Sequence, residues 1–599
     1  MGIRGLTDAV RPFGTPAALD HNDVVIDGPA LVHKILSGCL LLGPRGKTYF
    51  CQPSYAELGE ITIAWLDKLK THDITVRKIY FDGFLPSSKW DVRIQRLNSQ
   101  TEKLRRLASQ EVQGMLVPPS DVFKSIVPDI SITRVTGHNP NELLPHPAFL
   151  VPAVIDALRR HDCWGSLIQL VPGEADDFCI ADIKENGGTV ITSDSDLLVQ
   201  DLGVNGFVCF FSDLAESRRD GESSLQALKF NYQMVNQKLG IEDHGGLLRV
   251  AFEMDQRKAP LSTAIKFAKK AAVCVFDSPK YTAFTEEHSP RTHISPDHPV
   301  LEAILTIDPR VSELVVQSQL LRNSSITPTS GMVRGHHRLS MFLPILTEDT
   351  CRKSSWTMST KIRALAYSHL QTVSPCESQP VVEYRLLSSG RSQGGREVEI
   401  LDATQFAGGR AEIFSTLAAL GQDPELKQDL WFSFAIWLEM QWAAGEYDSP
   451  ASVSLLERAK RSKGLLQRYP WSLVHFTAQI NATLYSLRML QQVLRAVKVL
   501  SPDMHDKDND DLCEVLARLP GIDQWPTVDM VQPLLVKLGS TGLSSIARSL
   551  GIPDRAATKP ATVATKKRKK SSSNTASSRN TAPRTGLNNP FALLGQEDG

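Results

Sequence analysis

Two spacings of apolar residues organise the first 213 positions of this chain. Short apolar runs stand at Asp23-Val24-Val25-Ile26-Asp27, Arg77-Lys78-Ile79-Tyr80-Phe81-Asp82, Ser166 to Val171, Thr189-Val190-Ile191-Thr192 and Gly206 to Phe211. Their length and β-branched content predict buried strands. Helical spacing fills the intervals. Ser54-Tyr55-Ala56-Glu57 has the form of a capping box, and Leu58, Ile61, Trp65 and Leu69 give the helix behind it one apolar face. Asn186-Gly187-Gly188 stops another helix. Strands alternating with helices predict an α/β protein built on a parallel twisted sheet with helices on both faces.

Beyond Asp213 the pattern turns helical, with Leu247 to Met254 as one clear segment. Ser278 to Pro299, rich in Pro, Ser, Thr and His, reads as a loop, and Ser388 to Arg396 as a Gly/Ser linker. Residues 411–550 form a mostly α-helical region, in which Trp431, Phe434, Leu438 and Trp442 mark a core face. From Lys559 the chain is Ala/Ser/Thr-rich and basic, the composition of a disordered tail. No internal repeat is visible. The boundaries this suggests are 1–110, 111–260, 261–410, 411–550 and 551–599.

Composition removes several classes. With 42% hydrophobic and 22% charged residues in 599, the chain is globular rather than disordered. No run approaches the roughly 18 apolar residues of a membrane span. Arg4, Asp8 and Arg11 interrupt any secretory leader, and Leu6 stands where a myristoylation signal needs Ser or Thr. Nine cysteines without a Cys-x-x-Cys pair indicate neither a zinc site nor a disulfide framework, and fit a reducing compartment. Lys plus Arg and Asp plus Glu both total 66. The balance is uneven: residues 551–599 hold nine basic and three acidic residues, a net of +6 that leaves −6 on the first 550. Nucleic-acid binding, if present, must use local patches.

The chemistry concentrates at strand ends. Asp27 closes the first strand and Asp82 the second. Glu174 and Asp176 follow the third, and Asp194 and Asp196 the fourth. At helical spacing Asp177, rather than Asp176, shares a face with Glu174. Sites in open α/β sheets form outside the carboxyl ends of the strands. Any one Asp there is usually a helix cap or turn residue. Six together repel strongly unless cations neutralise them, and all-oxygen donors suit Mg²⁺ or Mn²⁺. Two such ions, about 4 Å apart, activate water and stabilise a leaving oxygen in phosphodiester hydrolysis.

These motifs, in this order, resemble the XPG/flap-endonuclease superfamily of PIN-like nucleases, and within it an asteroid-type branch of fungal source. The resemblance starts at Gly-Ile-Arg-Gly-Leu from residue 2. It continues through Val-Ile-Asp-Gly at 25–28, Tyr-Phe-Asp-Gly at 80–83, Val-Pro-Gly-Glu-Ala-Asp-Asp at 171–177 and Ile-Thr-Ser-Asp-Ser-Asp at 191–196, covering about residues 1–260. In these terms 1–110 is an N-terminal-like region, 111–260 an internal-like region that completes the nuclease core, and 261–410 a divergent asteroid-type region. The resemblance implies a PIN-like core, two divalent metals and cleavage of branched, overhanging or single-stranded DNA, with RNA as a further substrate class. A seventh family carboxylate would be Asp255, with Glu253 as the alternative. The family follows it with a Gly-rich helix–turns–helix that grips duplex DNA; here the stretch is Gln256-Arg257-Lys258-Ala259-Pro260-Leu261-Ser262, without the Gly-Ile-Gly pattern.

A helix expected from Ser87 to Gln110 carries Lys89, Arg93, Arg96 and Lys103 on one face. A solvated surface is the commoner meaning of such a stripe; a phosphate grip is the functional one. The resemblance puts Lys89 and Arg96 where the family contacts the scissile phosphate, making them the catalytic cations. Arg93 and Lys103 would be nucleic-acid contacts. In the tail, Lys566-Lys567-Arg568-Lys569-Lys570 has the form of a nuclear-import signal. The apolar island around Phe591 suits a protein partner. Two functions compete: a nuclear, metal-dependent endonuclease of DNA repair, or a nuclease-fold scaffold in RNA and translational regulation. Loss of Asp27, Asp82 or the Asp194/Asp196 pair would favour the scaffold; all four are present.

Overall fold

The computed structural model describes residues 2–551 apart from 43–51, 120–122, 124–125, 127–128, 136–142, 220–221, 271–277, 290–293, 296, 321–337, 375–378, 386–394, 447, 462–465 and 505. The tail with Lys566 to Lys570 and Phe591, and most of the 388–396 linker, lie outside the described residues.

Its central sheet uses β1 (Thr15–Ala18), β2 (Asp23–Asp27) and β3 (Thr75–Asp82), then, past the two-residue β4 (Met115–Leu116), β5 (Ile168–Val171), β6 (Gly188–Thr192), β7 (Gly206–Phe210), β8 (Ala215–Arg219) and β9 (Glu222–Phe230). The order is β1-β9-β7-β6-β2-β3-β5, with β8 hairpinned on β9. The five expected strands are present and pair in parallel. β9 is antiparallel to β1, β7 and β8, so the sheet is mixed at one end and the expectation of helices directly after Asp213 is corrected. Glu222–Phe230 has weak strand character, with Glu, Ser and Gln through its first half. It extends because the free backbone groups along β7 need partners.

The helices of this half are α1 (Leu6–Val10), α2 (Gly28–Leu42), α3 (Tyr55–Lys70), α4 (Trp90–Gln110), α5 (Leu150–Arg159), α6 (Ala175–Asn186), α7 (Tyr232–Leu239), α8 (Gly246–Arg257), α9 (Leu261–Lys270) and α10 (Pro279–Glu287). The capping box of α3 forms, with Ser54 accepting from the Glu57 N–H and Glu57 accepting from the Ser54 N–H. α10 occupies the stretch that reads as a loop. Ser278 caps it and Pro279 takes its first position, a start signal that the Ser/Thr/His composition masks.

Alternation along the strands divides the core. Val24, Ile26, Ile79, Phe81 and Ile191 face α2, α3 and α5. Val25, Tyr80, Val171, Val190 and Val208 face α6 and α8. The first layer runs on into the helical half, around the 30-residue helix Trp471–Leu500. Phe149 at the head of α5 stacks on Tyr485 of that helix at 4.7 Å and meets Trp525 edge-on at 5.2 Å. Phe434 and Leu438 are buried, in agreement with the core reading of their stripe. A small sheet of Ser340–Phe342, Val381–Tyr384 and Arg396–Val398 had no counterpart in the sequence pattern.

Ion pairs fasten the two halves. Arg488 donates to both oxygens of Asp156, at 2.9 and 2.8 Å, joining the long helix to α5. Its neighbour Asp308 is buried and accepts from the Tyr485 hydroxyl at 2.8 Å. Removing one partner of a nearly buried pair strands the other charge, a loss of about 3 kcal/mol. Arg488→Ala is expected to lower the urea unfolding midpoint accordingly; an unchanged midpoint would show that water replaces the pair.

Candidate metal centre

Strands β6, β2, β3 and β5 are neighbours and parallel, so their carboxyl ends share one edge. The chain order reverses between β2 and β6, the position at which α/β sheets open a crevice. Asp27 spans that gap. Its Oδ1 accepts from the Ala30 N–H at 3.1 Å, and its Oδ2 accepts from the Thr192 hydroxyl at 2.6 Å. At the end of β3, Asp82 Oδ1 accepts from the Ala175 N–H at 2.7 Å and so holds the start of α6. Glu174 is the N-cap of α6 and Asp176 lies in its first turn. After β6, Asp194 Oδ1 accepts from the Asp196 N–H at 3.1 Å. Asp196 Oδ1 accepts in turn from the Ile3 N–H at 2.9 Å. The preceding Gly2 has φ +85°, and a Cβ there would collide with Asp194, Ser195 and Asp196. The start of the chain is thus laid against the acidic turn, a close approach that only glycine permits. Thr192, Gly2 and Ile3 are site residues that strand-end reasoning missed. Gly2 lay within a motif but showed no carboxylate to mark it.

Electrostatics confirm the crowding. Burial pushes the Asp82 carboxyl up to about 7, aided by the charges of Asp27 and Glu174 against the Ala175 hydrogen bond. Burial lifts Asp27 to about 6, with the Thr192 and Ala30 hydrogen bonds opposing and Asp194 assisting. Asp196 also rises to about 6, through burial and Asp194, with His288 and Lys89 restraining it. Asp176 is driven well above the carboxylate range by burial and by Asp27, Asp194, Asp82 and Glu174. Its Oδ1 is buried without a hydrogen-bond partner. An orphaned acidic oxygen amid four other acids fits a divalent cation by charge and by donor chemistry. Among the described residues, no three such side chains are already gathered around one point.

Lys89 is the cation of this cluster. Its Nζ is 3.5 Å from Glu174 Oε1. Burial lowers its affinity for a proton, but Glu174, Asp196, Glu287 and Asp194 outweigh that and raise it. Lys89 does not lie on the helix proper: Ser87–Lys89 is a 3₁₀ turn, and α4 begins at Trp90. The rest of the stripe divides. Arg93, the expected nucleic-acid contact, makes a bidentate pair with Glu313 and covers the Phe342 ring at 3.7 Å. Arg96 is exposed on α4 and its charge bears on His33 of α2. Lys103 bears on His146. Trp90 meets Phe342 and Tyr384 edge-on at 4.9 and 4.7 Å, fixing the residue beside Lys89. At its other end, α4 leads into β4, which pairs with Arg468–Tyr469, while the Trp471 indole donates to the Glu111 carbonyl at 2.7 Å.

The expected seventh ligand and its alternative both lie on α8. Asp255 sits half-exposed on α8, bonded to Lys258 at 2.9 Å. The alternative, Glu253, is buried between Arg249 and Arg257. α8 turns both carboxylates toward cations of its own surroundings. The glycine-poor stretch after them nevertheless folds as helix, turn, helix: α8 ends at Lys258 in the left-handed region, φ +50°, and α9 starts at Leu261. Lys266 and Lys270 are exposed on α9.

A family model described as "XPG domain containing" matches residues 146–399. The match includes Glu174, Asp176, Asp194 and Asp196; Asp27 and Asp82 precede it. No curated protein matches the chain. Fold and match make this region similar to the XPG/PIN-like nucleases, which are generally metal-dependent.

The raised carboxyls have a consequence for stability. In the unfolded chain an Asp loses its proton near 3.8, whereas folded Asp82 keeps one to about 7 and Asp27 and Asp196 to about 6. The folded state therefore binds extra protons across that window, and their stabilising contribution is lost as pH rises through it. Asp176→Asn removes one such acid. In metal-free protein it is expected to raise the melting midpoint at pH 8 by about 2 °C or more, and to leave it unchanged near pH 4. Equal shifts at the two pH values would show that Asp176 is not held protonated by its neighbours.

Proposed function

We propose that this protein is a structure-specific, divalent-metal-dependent endonuclease that hydrolyses phosphodiester bonds in branched, overhanging or single-stranded DNA, and that it serves DNA repair in the nucleus. The observation that carries the reading is the buried, partnerless Asp176 oxygen among Asp27, Asp82, Glu174 and Asp194. Those five, with Asp196, are the residues that would hold one or two Mg²⁺ or Mn²⁺ ions. Bound ions would supply charge neutralisation and an acidified water.

The chain's own groups supply the rest. Lys89, beside the acids, steadies a phosphate drawn to the site as charge grows on its oxygens. Arg96 stands two helical turns further on, a spacing of about 10 Å that suits contact with the neighbouring strand backbone. Lys103 extends the same track. Lys258 at the turn after α8, with Lys266 and Lys270 on α9, offers cations to a duplex backbone, as the helix–turn–helix course of the chain suggests. Import through Lys566 to Lys570 and docking of a protein at Phe591 belong to the same proposal.

A nuclease-fold scaffold in RNA regulation is the second reading. It is favoured by the engagement of Asp255 and Glu253 elsewhere. Cleavage assays on flap, overhang, hairpin and single-stranded substrates, DNA and RNA, with and without Mn²⁺, separate the two. Metal-dependent products from wild type and none from Asp194→Ala are expected. RNA binding without cleavage would replace the nuclease with the scaffold.

Lys89→Ala is expected to lower the single-turnover rate at saturating enzyme by about 10²-fold, with binding little changed. Weaker binding with a shallower salt dependence and an unchanged rate would make Lys89 a phosphate tether.

A further inference from the structure

Helix α9 divides into an apolar face and a basic one, and its one aromatic residue belongs to neither. Leu261, Ala264, Ile265 and Ala268 pack on the core, while Lys266, Lys269 and Lys270 make the helix basic, with no acid along it. Phe267 lies off the packed face and is 38% exposed. The guanidinium of Arg257, the last residue of α8, lies over its ring at 4.1 Å from the centroid. Arg257 is itself anchored. Its Nε donates to Glu253 Oε2 at 2.5 Å, and Arg249 holds the other oxygen of that buried carboxylate. The Arg257 side chain is nonetheless 50% exposed. Its inner side is covered by the ring, so the outer side is what solvent meets. A flat, weakly hydrated cation is thus held in place on an aromatic ring at the surface. The pair fastens α8 to α9, but α9 already docks through Leu261 and Ile265, so packing alone does not call for it. Lys270, three residues from Phe267, shares its side of the helix, and exposed Lys258 follows Arg257 directly.

We propose that Arg257 and Phe267 form a stacking platform for an unpaired nucleobase of the substrate strand. The base lies against the outer side of the guanidinium, Phe267 backs it, and Lys258 and Lys270 meet the phosphates nearby. The proposal rests on the nucleic-acid reading above and names the part of the substrate recognised here. Bases stack on arginine planes and on aromatic rings whatever the sequence, because every base has a π-face. Inside a duplex both faces of a base are covered by its neighbours, so such a platform takes bases from an overhang, a branch or a single strand. The acid-free basic face of α9 suits the same polyanionic partner. The position suits it as well. α8 packs against the Ser195–Val199 turn that follows Asp194. With 12 residues it is about 18 Å long, so its end lies within that length of the acidic turn along the helix, a span that a few nucleotides bridge.

Fluorescence anisotropy with the full chain tests this, using an oligodeoxyadenylate and an abasic strand of the same length, in Ca²⁺ rather than Mn²⁺ so that neither is cut. The two probes carry the same phosphates, so every lysine contact counts equally in both. Wild type is expected to hold the adenylate more tightly than the abasic strand by about 5-fold or more. Arg257→Lys keeps the charge and removes the plane; it is expected to cancel this preference by weakening the adenylate alone. Phe267→Leu is expected to act in the same direction, and Phe267→Tyr to keep the preference. Equal affinity of wild type for the two probes overturns the platform and leaves the nucleic-acid reading standing. A preference that survives in both Arg257→Lys and Phe267→Leu places the base elsewhere and overturns it too. Equal losses on both probes that follow the melting midpoints of the variants overturn it as well, assigning the pair to the packing of α8 on α9. Absence of binding to either probe by wild type overturns the proposal together with the reading beneath it.

Discussion

Repulsion between carboxylates held at one sheet edge is the constraint around which the rest of this structure is arranged. Four parallel strands deliver acids to the same end because parallel pairing gives all of them the same direction. Left alone, the charges would force the edge apart or take up protons. The fold restrains them with short-range bonds: Thr192 and Ala30 on Asp27, Ala175 on Asp82, Ile3 on Asp196. Each of these donors comes from a different element than the strand that ends in the acid. The crevice therefore cannot form until β6, α2, α6 and the start of the chain are in place. Among the described residues Asp176 Oδ1 is buried without a hydrogen-bond partner, and burial together with the charges of Asp27, Asp194, Asp82 and Glu174 raises its affinity for a proton.

The helical half bears on the same edge from a distance. Its long helix Trp471–Leu500 shares a continuous apolar core with α3 and α5, through Phe149, Tyr485 and Trp525. It also governs α4. Glu313, Phe342 and Tyr384 fix the first turns of that helix, and Arg468 to Trp471 fix its far end. A basic helix beside an acidic cluster would otherwise be free to fold onto it, salt-bridging the cations to the acids along its length. Anchoring Arg93 on Glu313 leaves Lys89 as the residue that enters. The divergent half of the chain thus determines which cation the site receives.

Most of the sheet was legible in the sequence because buried parallel strands must be apolar throughout, and Val24 to Ile26, Ile79 to Phe81 and Val190 to Ile191 are. The six clustered acids were legible for a related reason: an Asp or Glu ending such a run has little other use than capping or ligation. β8, β9 and the small sheet were not. β8 and most of β9 carry little strand preference of their own and extend because neighbouring backbone groups need partners, while the strands of the small sheet are only three or four residues long, too short for a period to show.

The sequence by itself determined strand direction, the shared edge and the identity of the acids on it, since each is a local consequence of an apolar run and the residue that ends it. Tertiary structure alone decided which partner each charge meets. Asp255 and Arg93 carry the right charge at plausible spacing, yet Lys258 and Glu313 claim them. His288, in a stretch whose composition reads as a loop, reaches Asp196. Charge is set by residue type, but a side chain's partner is set by whatever the fold brings within a few ångströms. For Arg93 that partner comes from 220 residues away in the chain.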